Sequence, residues 1–358
     1  MWKSSSRIQT VKHCRFALIL LLLFFSATWL PWARRFTSTQ VCGAYAHVDK
    51  QKIISIKQIR RCRIDVSVGR QPVYKFGLFN NPGLSGGGRQ QPVIALELRK
   101  GWARPDSTVV TSVYNAAPAL KRSLPNLFVK TTGLWELVIV LDACYDDSYS
   151  TAVTVIQEYF ARSECVRVQV IIQPTAIWEV SSDNIGMRIT NPKVAYILLQ
   201  ADTVMLEKGW NTRLLRKLNS DRNIFAISGR CGHSLDLKET FGRCGAEVAE
   251  PLPHGTLRDV FYQTETVNRG PLALRSHQAQ ALGFLDETRF LLEDDDHDLN
   301  SRARSLGYIV GYMPVDFYAP LDLSARRNPQ YRVHTPQHIV QQEQEYKQYR
   351  LTRSQNLP

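Results

Sequence analysis

The stretch from Thr108 to Asp202 decides the fold. It carries four short apolar runs, which read TVVTSV (108–113), ELVIVL (136–141), VRVQVII (166–172) and VAYILL (194–199). Continuous runs rich in Val, Ile and Leu are typical of strands that are buried on both faces of a parallel sheet. Helical segments separate the runs, among them 149–161, which Ser148 is expected to cap. This alternation predicts an α/β fold with a mostly parallel central sheet flanked by helices.

Polar side chains follow three of these strands, at the point where each strand ends. They are Ser112, Tyr114 and Asn115 after the first run, Asp142 after the second and Asp202 after the fourth. The carboxyl ends of parallel strands meet at one edge of a sheet, and ligands of open α/β sheets bind there. The sequence therefore predicts a polar ligand site at this edge.

Five segments in this order resemble the family 2 glycosyltransferases, which have the GT-A nucleotide-sugar fold. The resemblance covers roughly residues 107–315. It is carried by TVVTSVYNAAPALKRSL (108–124), ELVIVLDACYDDS (136–148), Asn184 with Gly186, YILLQADTVMLEKGWNTRLL (196–215) and the long segment from Asn268 to Pro314. The resemblance implies transfer of a sugar from a nucleoside diphosphate donor to a hydroxyl of a glycan, protein or lipid acceptor.

The resemblance also implies roles on the donor side. Residues expected to bind the nucleotide sugar are Ser112, Tyr114, Asn115, Asp142 and Asn184. Asp202 matches the last position of the family's metal motif, where a carboxylate holds Mn²⁺ or Mg²⁺. Gln200 replaces the first Asp of that motif. His334 and His338 are candidates for a further metal ligand, although an exposed histidine is the ordinary alternative for each.

The acidic run EDDDHD, residues 293–298, is expected to serve the acceptor side. Clustered carboxylates repel one another, which raises some of their pKa values. Aligned on Asp-Leu-x-x-Arg, the family's acidic pair falls on Asp295 and Asp296, with Asp296 as general base and Asp295 contacting the acceptor. An alignment that places the acidic pair on Glu293 and Asp294 remains open. So does the alternative that the acidic run is only the solvent-exposed start of a helix, without a catalytic role.

Two further residues are expected on the acceptor side. Gly270 begins a strand, and its small size would let substrate approach the backbone. Asp298 follows the acidic pair. It also lies four residues before Arg302, and this spacing is typical of a structural ion pair.

The N-terminus is expected to anchor the chain in a membrane. Residues 16–33 carry no charge, and basic residues are more numerous before this run than directly after it. This pattern predicts a cytoplasmic tail (1–15), a signal-anchor helix (16–33) and a lumenal remainder in the Golgi or endoplasmic reticulum, while a cleaved signal peptide is the alternative. The remainder divides into a basic stem (34–104), a GT-A domain (105–320) and a C-terminal tail or helix (321–358).

The distribution of charge argues against a nucleic-acid partner. The chain has 358 residues and a formal charge of +13. Residues 1–104 hold 18 basic and 3 acidic residues, which leaves 27 basic and 29 acidic residues in 105–358. A surface that tracks phosphates needs its positive charge on the binding face.

Six of the seven cysteines would lie in an oxidising lumen, which permits disulfides. Cys231 and Cys244 bracket a short loop and are the expected pair.

The sequence as a whole leaves two functions open: an inverting glycosyltransferase, or a catalytically inactive relative that binds a glycan or a partner protein.

Overall fold

The computed structural model describes residues 91–244, 248, 250–292, 294–320 and 344, together with the backbone of 64–67 and 71–72. These residues belong to one compact unit, Gln51–Pro358. No helix in this described part combines the length and apolarity needed to cross a membrane. Several predictions fall on residues outside the described part of the chain. These are the cytoplasmic tail and the anchor, most of the stem, Glu293, His334 and His338.

Sixteen strands are described. They are β1 (Ile64–Ser67), β2 (Gln71–Pro72), β3 (Val93–Lys100), β4 (Ser107–Val113), β5 (Trp135–Asp142), β6 (Cys165–Gln173), β7 (Ala195–Leu198), β8 (Val204–Met205), β9 (Ile224–Ser228), β10 (Cys231–His233), β11 (Thr240–Gly242), β12 (Tyr262–Thr264), β13 (Thr266–Val267), β14 (Leu272–Arg275), β15 (Ile309–Tyr312) and β16 (Phe317–Tyr318).

The described α-helices alternate with the central strands as the sequence predicts. They are α1 (Ala117–Lys130), α2 (Ser148–Tyr159), α3 (Trp178–Arg188), α4 (Trp210–Ser220), α5 (Ser276–Ala281) and α6 (Asp295–Ser305).

The main sheet is mixed, with parallel strands at its centre. Its order is β1-β3-β6-β5-β4-β7-β14-β9-β15-β12, and β2 also pairs with β3. Strands β6, β5, β4 and β7 are mutually parallel, as the apolar runs predict, and β9 pairs in parallel with β15. Antiparallel pairing brings in β3 on one side and β14 on the other. Since β1 to β3 lie within the segment predicted as a stem, the sheet begins upstream of residue 105.

Helices cover both faces of this sheet. Along β5, Leu137, Ile139 and Leu141 pack into one core cluster with α1, α2 and α4, whereas Val138 and Val140 pack on the opposite face with Ile185 of α3. This division follows from the alternation of side chains along a strand. Both faces of the strand are therefore buried, which explains the unbroken apolar runs.

Gly186 allows α3 to approach the sheet closely. A Cβ atom at this position would overlap the side chain of Val110 in β4. Any larger residue would therefore push α3 away from the central strands.

Helix α1 continues through Pro125 to Lys130. One local expectation needs correction. Ser148 does not cap α2: it is the first helical residue, and its hydroxyl accepts the backbone N–H of Ala116. Ser148 therefore ties α2 to the start of α1.

The expected disulfide between Cys231 and Cys244 is confirmed, with their Cα atoms 5.3 Å apart. Cys231 lies in β10 of a small sheet of order β11-β10-β13, and Cys244 follows β11. The Cys144 thiol donates to the carbonyl of Val113 at 3.2 Å, and Cys165 is a buried thiol.

Candidate active site

One edge of the main sheet collects most of the predicted site residues. The parallel strands β4, β5 and β7 end here. Leu272, the first residue of β14, pairs with Leu198 at the end of β7 and with Ser228 at the end of β9. The antiparallel β14 therefore brings the segment before it, Arg269–Pro271, to the same edge.

Asp142, the last residue of β5, holds the beginning of α3. Its carboxylate accepts the backbone N–H of Ile177 (2.9 Å) and of Trp178 (2.8 Å). Burial raises the pKa of Asp142 to about 7, although these two N–H donors act in the opposite direction. Asp142 is thus a buried carboxylate, held by two hydrogen bonds, at the sheet edge where the sequence predicts the nucleotide sugar to bind.

Asn115 and Tyr114 lie beside Asp142, where β4 ends. The side-chain oxygen of Asn115 accepts the N–H of Tyr145 (2.9 Å) and of Asp146 (3.3 Å). The rings of Tyr114 and Tyr145 meet edge to face with centroids 6.4 Å apart, and Tyr145 is 49% exposed. Asn115 therefore positions a loop that presents an aromatic surface to solvent.

Asn184 is placed differently from these residues. Its side chain is fully buried, donates to the carbonyl of Leu285 (2.8 Å) and to Glu287 (3.1 Å), and accepts the N–H of Leu285. These bonds fasten the 285–287 loop to α3. Its predicted contact with the nucleotide sugar stays a prediction.

Gln200, Arg230 and Gly270 meet in front of β7 and β14. The Arg230 guanidinium donates to Gln200 Oε1 at 3.2 Å. Gly270 has φ of +93°, and a Cβ there would lie 3.0 Å from the same oxygen. The residue that replaces the first metal-motif aspartate therefore binds a cation of the protein itself.

Asp202 follows β7 in the adjoining turn. The described residues contain no group of three or more His, Cys, Asp or Glu suited to a metal ion. A Mg²⁺-like ion commonly uses only one or two carboxylates and takes its other ligands from substrate phosphates and water. The role of Asp202 as a metal ligand stays a prediction.

The acidic run meets the sheet edge through Arg269. The backbone N–H of Arg269 donates to Asp296 Oδ2 (2.8 Å), and its guanidinium bonds to the Asp295 carboxylate. The same guanidinium lies 2.7 Å from Asp183 and 3.0 Å from Glu179, both in α3. One buried arginine thus connects α3, α6 and the start of β14.

Mutual charges stabilise this cluster. Burial by itself would lower the pKa of Arg269, but Glu179, Asp183 and Asp296 outweigh it and raise that pKa, so the guanidinium stays charged. Burial raises the pKa of Asp183, against the opposing effects of Arg269 and of a hydrogen bond from Ser112. Ser112, predicted on the donor side, is therefore linked through Asp183 and Arg269 to the acidic pair.

Asp296 is held on two sides. Besides the Arg269 N–H, its Oδ1 accepts the backbone N–H of His297 at 2.8 Å. Each carboxylate oxygen has two acceptor sites, so both retain capacity for a proton or a hydroxyl donor. The carboxylate is consequently oriented by the backbone rather than by flexible side chains.

The neighbouring acidic residues have other contacts. Asp294 precedes α6 with φ of +60°, and its Oδ1 lies 3.1 Å from His297 Nδ1. Asp298 accepts from Arg289 (2.7 Å) and from Arg302 (2.8 Å), which confirms the expected ion pair with Arg302. Its acceptor-side role stays a prediction.

The motifs did not reveal four important residues: Glu179, Asp183, Arg230 and Arg269. Each carries a charge that the fold buries or brings to the site edge, and the linear sequence does not show which charged residues become buried. A signal for Arg269 existed, since it directly precedes Gly270 in the segment that most resembles the family.

Comparison with known proteins gives similarity of fold only. No protein-family model and no curated protein matches the chain. Solved structures of GT-A-type glycosyltransferases are similar to it. They include the mannosyltransferase PcManGT from Pyrobaculum calidifontis in complex with GDP-Man and Mn²⁺ (TM-score 0.48, 17% identity, covering 68% of this chain and 64% of that one).

Two others are GalNAc-T7 with UDP, GalNAc and Mn²⁺ (TM-score 0.46, 14% identity, 64% and 46% covered) and S. aureus TarS (TM-score 0.42, 13% identity, 60% and 37% covered). The chain thus spans less than two thirds of the length of each of these three. All three TM-scores are below 0.5, so these similarities carry no conclusion about function.

Proposed function

We propose that this protein is an inverting, family 2-like glycosyltransferase that moves a sugar from a nucleoside diphosphate sugar to a hydroxyl of a glycan, protein or lipid. One observation carries the proposal. The donor-side residues at the ends of β4, β5 and β7 and the acidic pair of α6 lie at one sheet edge, where Arg269 links the acidic pair to Ser112 through Asp183.

On the donor side, the exposed ring of Tyr145 offers a face for the nucleotide base, next to Asp142. Arg230 supplies positive charge for the diphosphate, since a guanidinium matches the geometry of phosphate oxygens. A divalent cation at Asp202, Mn²⁺ or Mg²⁺, would add Lewis-acid stabilisation of the leaving diphosphate.

On the acceptor side, Asp296 is the general base. The acceptor hydroxyl attacks the anomeric carbon from the face opposite the diphosphate, its proton passes to Asp296, and the bond to the diphosphate breaks with its electron pair. Direct displacement inverts the anomeric configuration. Asp295, fixed by Arg269, would orient the acceptor.

The test is a screen of nucleoside diphosphate sugars with the full-length chain and Mn²⁺, scored by released nucleoside diphosphate. We expect turnover with at least one donor and a loss of roughly 10²- to 10⁴-fold for D296N, which keeps the side-chain shape but cannot take the proton. D259N changes an exposed aspartate and is the matched control, expected to leave turnover unchanged.

A second function has its own supporting observation. Gln200 stands in place of a metal-motif aspartate and binds Arg230, which suits a catalytically inactive relative that binds a glycan or a partner protein. If no donor turns over while the folded chain still binds glycans, this function replaces the transferase. Turnover that D296N leaves unchanged would remove Asp296 from the mechanism.

We further propose that the protein is a single-pass type II membrane protein of the Golgi or endoplasmic reticulum with a lumenal catalytic domain. The uncharged run 16–33 and the basic residues that precede it support this orientation.

A further inference from the structure

A second cleft lies at the opposite end of the sheet from the candidate active site. Its volume is about 400 Å³, which suits a ligand of a few rings. Its walls come from the amino ends of β5 and β6, the segment before β4 and the end of α3; the residues used below are Arg99, Trp102, Arg104, Glu136, Arg167 and Arg188. Strand β4 alone, with seven residues, separates the two ends by about 23 Å.

Trp102 provides an apolar surface at the mouth of the cleft. It is 76% exposed, within a turn (101–104) whose residues are all exposed. Tryptophan is highly buried on average, so such exposure beside a cleft marks a candidate contact surface. The guanidinium of Arg99 lies 5.2 Å from the ring centroid and orders one side of it.

The arginines of the cleft exceed their acidic partners. Glu97 binds both Arg99 and Arg167, and Arg167 also reaches Glu136 at 3.4 Å. Arg188 pairs with Glu287 at 2.9 Å.

Arg104 is bonded differently: its guanidinium donates to the neutral oxygens of Asn191 and Pro192. Four arginines therefore face three carboxylates, and Arg104 is the cation whose charge is least balanced. A guanidinium bound on one side keeps further N–H donors for a planar oxyanion.

We propose that this cleft binds an acidic sugar unit, with the sugar ring on Trp102 and its oxyanion at Arg104. An aromatic face matches the C–H surface of a pyranose, and a guanidinium matches a carboxylate or a sulfate. The choice of a sugar rests on the proposed function, because a distal subsite would hold a long acceptor chain whose end reaches Asp296. The ligand carries few charges, since the other three arginines of the cleft are already paired with Glu97, Glu136 and Glu287.

The test is calorimetric titration of the full-length chain with defined tetrasaccharides. The probes are tetragalacturonate for a carboxylate, a heparin-derived tetrasaccharide for a sulfate, and maltotetraose as the neutral match. We expect saturable binding of at least one acidic probe, with the tighter probe identifying the anion. W102A and R104Q should each weaken it by roughly tenfold.

Matched controls are L257A, which removes another exposed apolar side chain, and R216Q, which removes an exposed arginine of α4. Both should bind as the parent does. An oligouridylate is titrated as a further probe, to test for a nucleic-acid ligand. The proposal would be overturned by equal affinity for maltotetraose, by the absence of saturable binding or by a preference for the oligouridylate. Affinity that is unchanged in both W102A and R104Q would overturn it as well.

The proposed subsite and the proposed transfer reaction can fail separately. D296N should bind the acidic tetrasaccharide normally even though it loses turnover. If the acidic tetrasaccharide still binds while no donor turns over, the proposed subsite would stand and the proposed transferase function would be wrong.

Discussion

Gly270 shows how a single residue shapes the site. Its φ of +93° costs a residue with a Cβ roughly 1–2 kcal/mol, and that Cβ would lie 3.0 Å from Gln200 Oε1. Gly283 has φ of +79° with nothing within 4 Å of its Cβ position, so it shares the conformation without the contact.

We therefore expect G283A to lose about 1–2 kcal/mol in urea unfolding, and G270A to lose more, because it also breaks the contact between Gln200 and Arg230. Only G270A should also lose donor turnover, because its methyl group displaces Gln200 from Arg230. Equal turnover in the two variants would show that the contact between Gln200 and Arg230 has no role in the reaction.

Asp142 makes stability depend on pH. Its pKa is about 7 in the folded protein, against an ordinary 3.8, because of burial. The folded state thus holds a proton that the unfolded state releases between pH 4 and 7. The contribution of Asp142 is fully present below about pH 4 and is lost as the pH rises to 7, by up to roughly 4 kcal/mol.

D142N removes this titration. The difference in unfolding free energy between the parent and D142N should fall from pH 4 to pH 7 and stay constant above, as measured by urea unfolding at several pH values. D259N, at an exposed position, should show no such trend. A flat difference for D142N would mean that Asp142 ionises normally in the folded protein.

At the scale of elements, Arg269 connects parts of the chain that are far apart in sequence. It binds Glu179 and Asp183 in α3 and Asp295 in α6. Removal of one partner from a buried ionic cluster typically costs 3–5 kcal/mol, since the remaining charges lose their compensation. The position of Asp295 and Asp296 therefore depends on their contacts with Arg269 as well as on α6.

R269M should therefore lose about 3–5 kcal/mol of unfolding free energy at pH 7, and the deficit should shrink toward pH 4 as Asp183, whose pKa burial raises, becomes protonated. R275M is the matched control: Arg275 is equally buried, at 6%, but donates to the backbone carbonyls of Leu218, Asp221 and Ile224. Its deficit should not depend on pH in this way. A deficit of R269M that is likewise constant would argue against ionised partners around Arg269.

At the scale of the whole molecule, charge and hydropathy divide the chain. The basic excess lies in residues 1–104, upstream of the described site. Positive charge that precedes an apolar run favours retention of the N-terminus in the cytoplasm. The resulting expectation is a chain tethered to a membrane with its catalytic body in the lumen.

We expect the full-length chain to remain in the membrane pellet after alkaline carbonate extraction. L22R/L23R should release it, because each arginine at the centre of a spanning helix costs about 2.5–3.5 kcal/mol. S4R/S5R adds the same charges outside the apolar run and should stay in the pellet. Extraction of the parent with carbonate would count against the anchor.

The sequence by itself determined the alternation of strands and helices, the parallel centre of the sheet and the edge where polar residues gather. These features depend on local apolar runs and on where they end, and both can be read along the chain. The disulfide between Cys231 and Cys244 was also predicted, because its two ends are close in sequence.

Only the tertiary structure decided which charged residues act together. Arg269 meets Glu179 and Asp183 across more than 80 residues, and Arg104 reaches Asn191 across 87. Such contacts depend on the packing of α3 and α6 against a mixed sheet, including an antiparallel β14 between β7 and β9. Long-range charge pairing has no local period in a sequence, so the cluster around Asp296 and the distal cleft emerge only when the chain is folded.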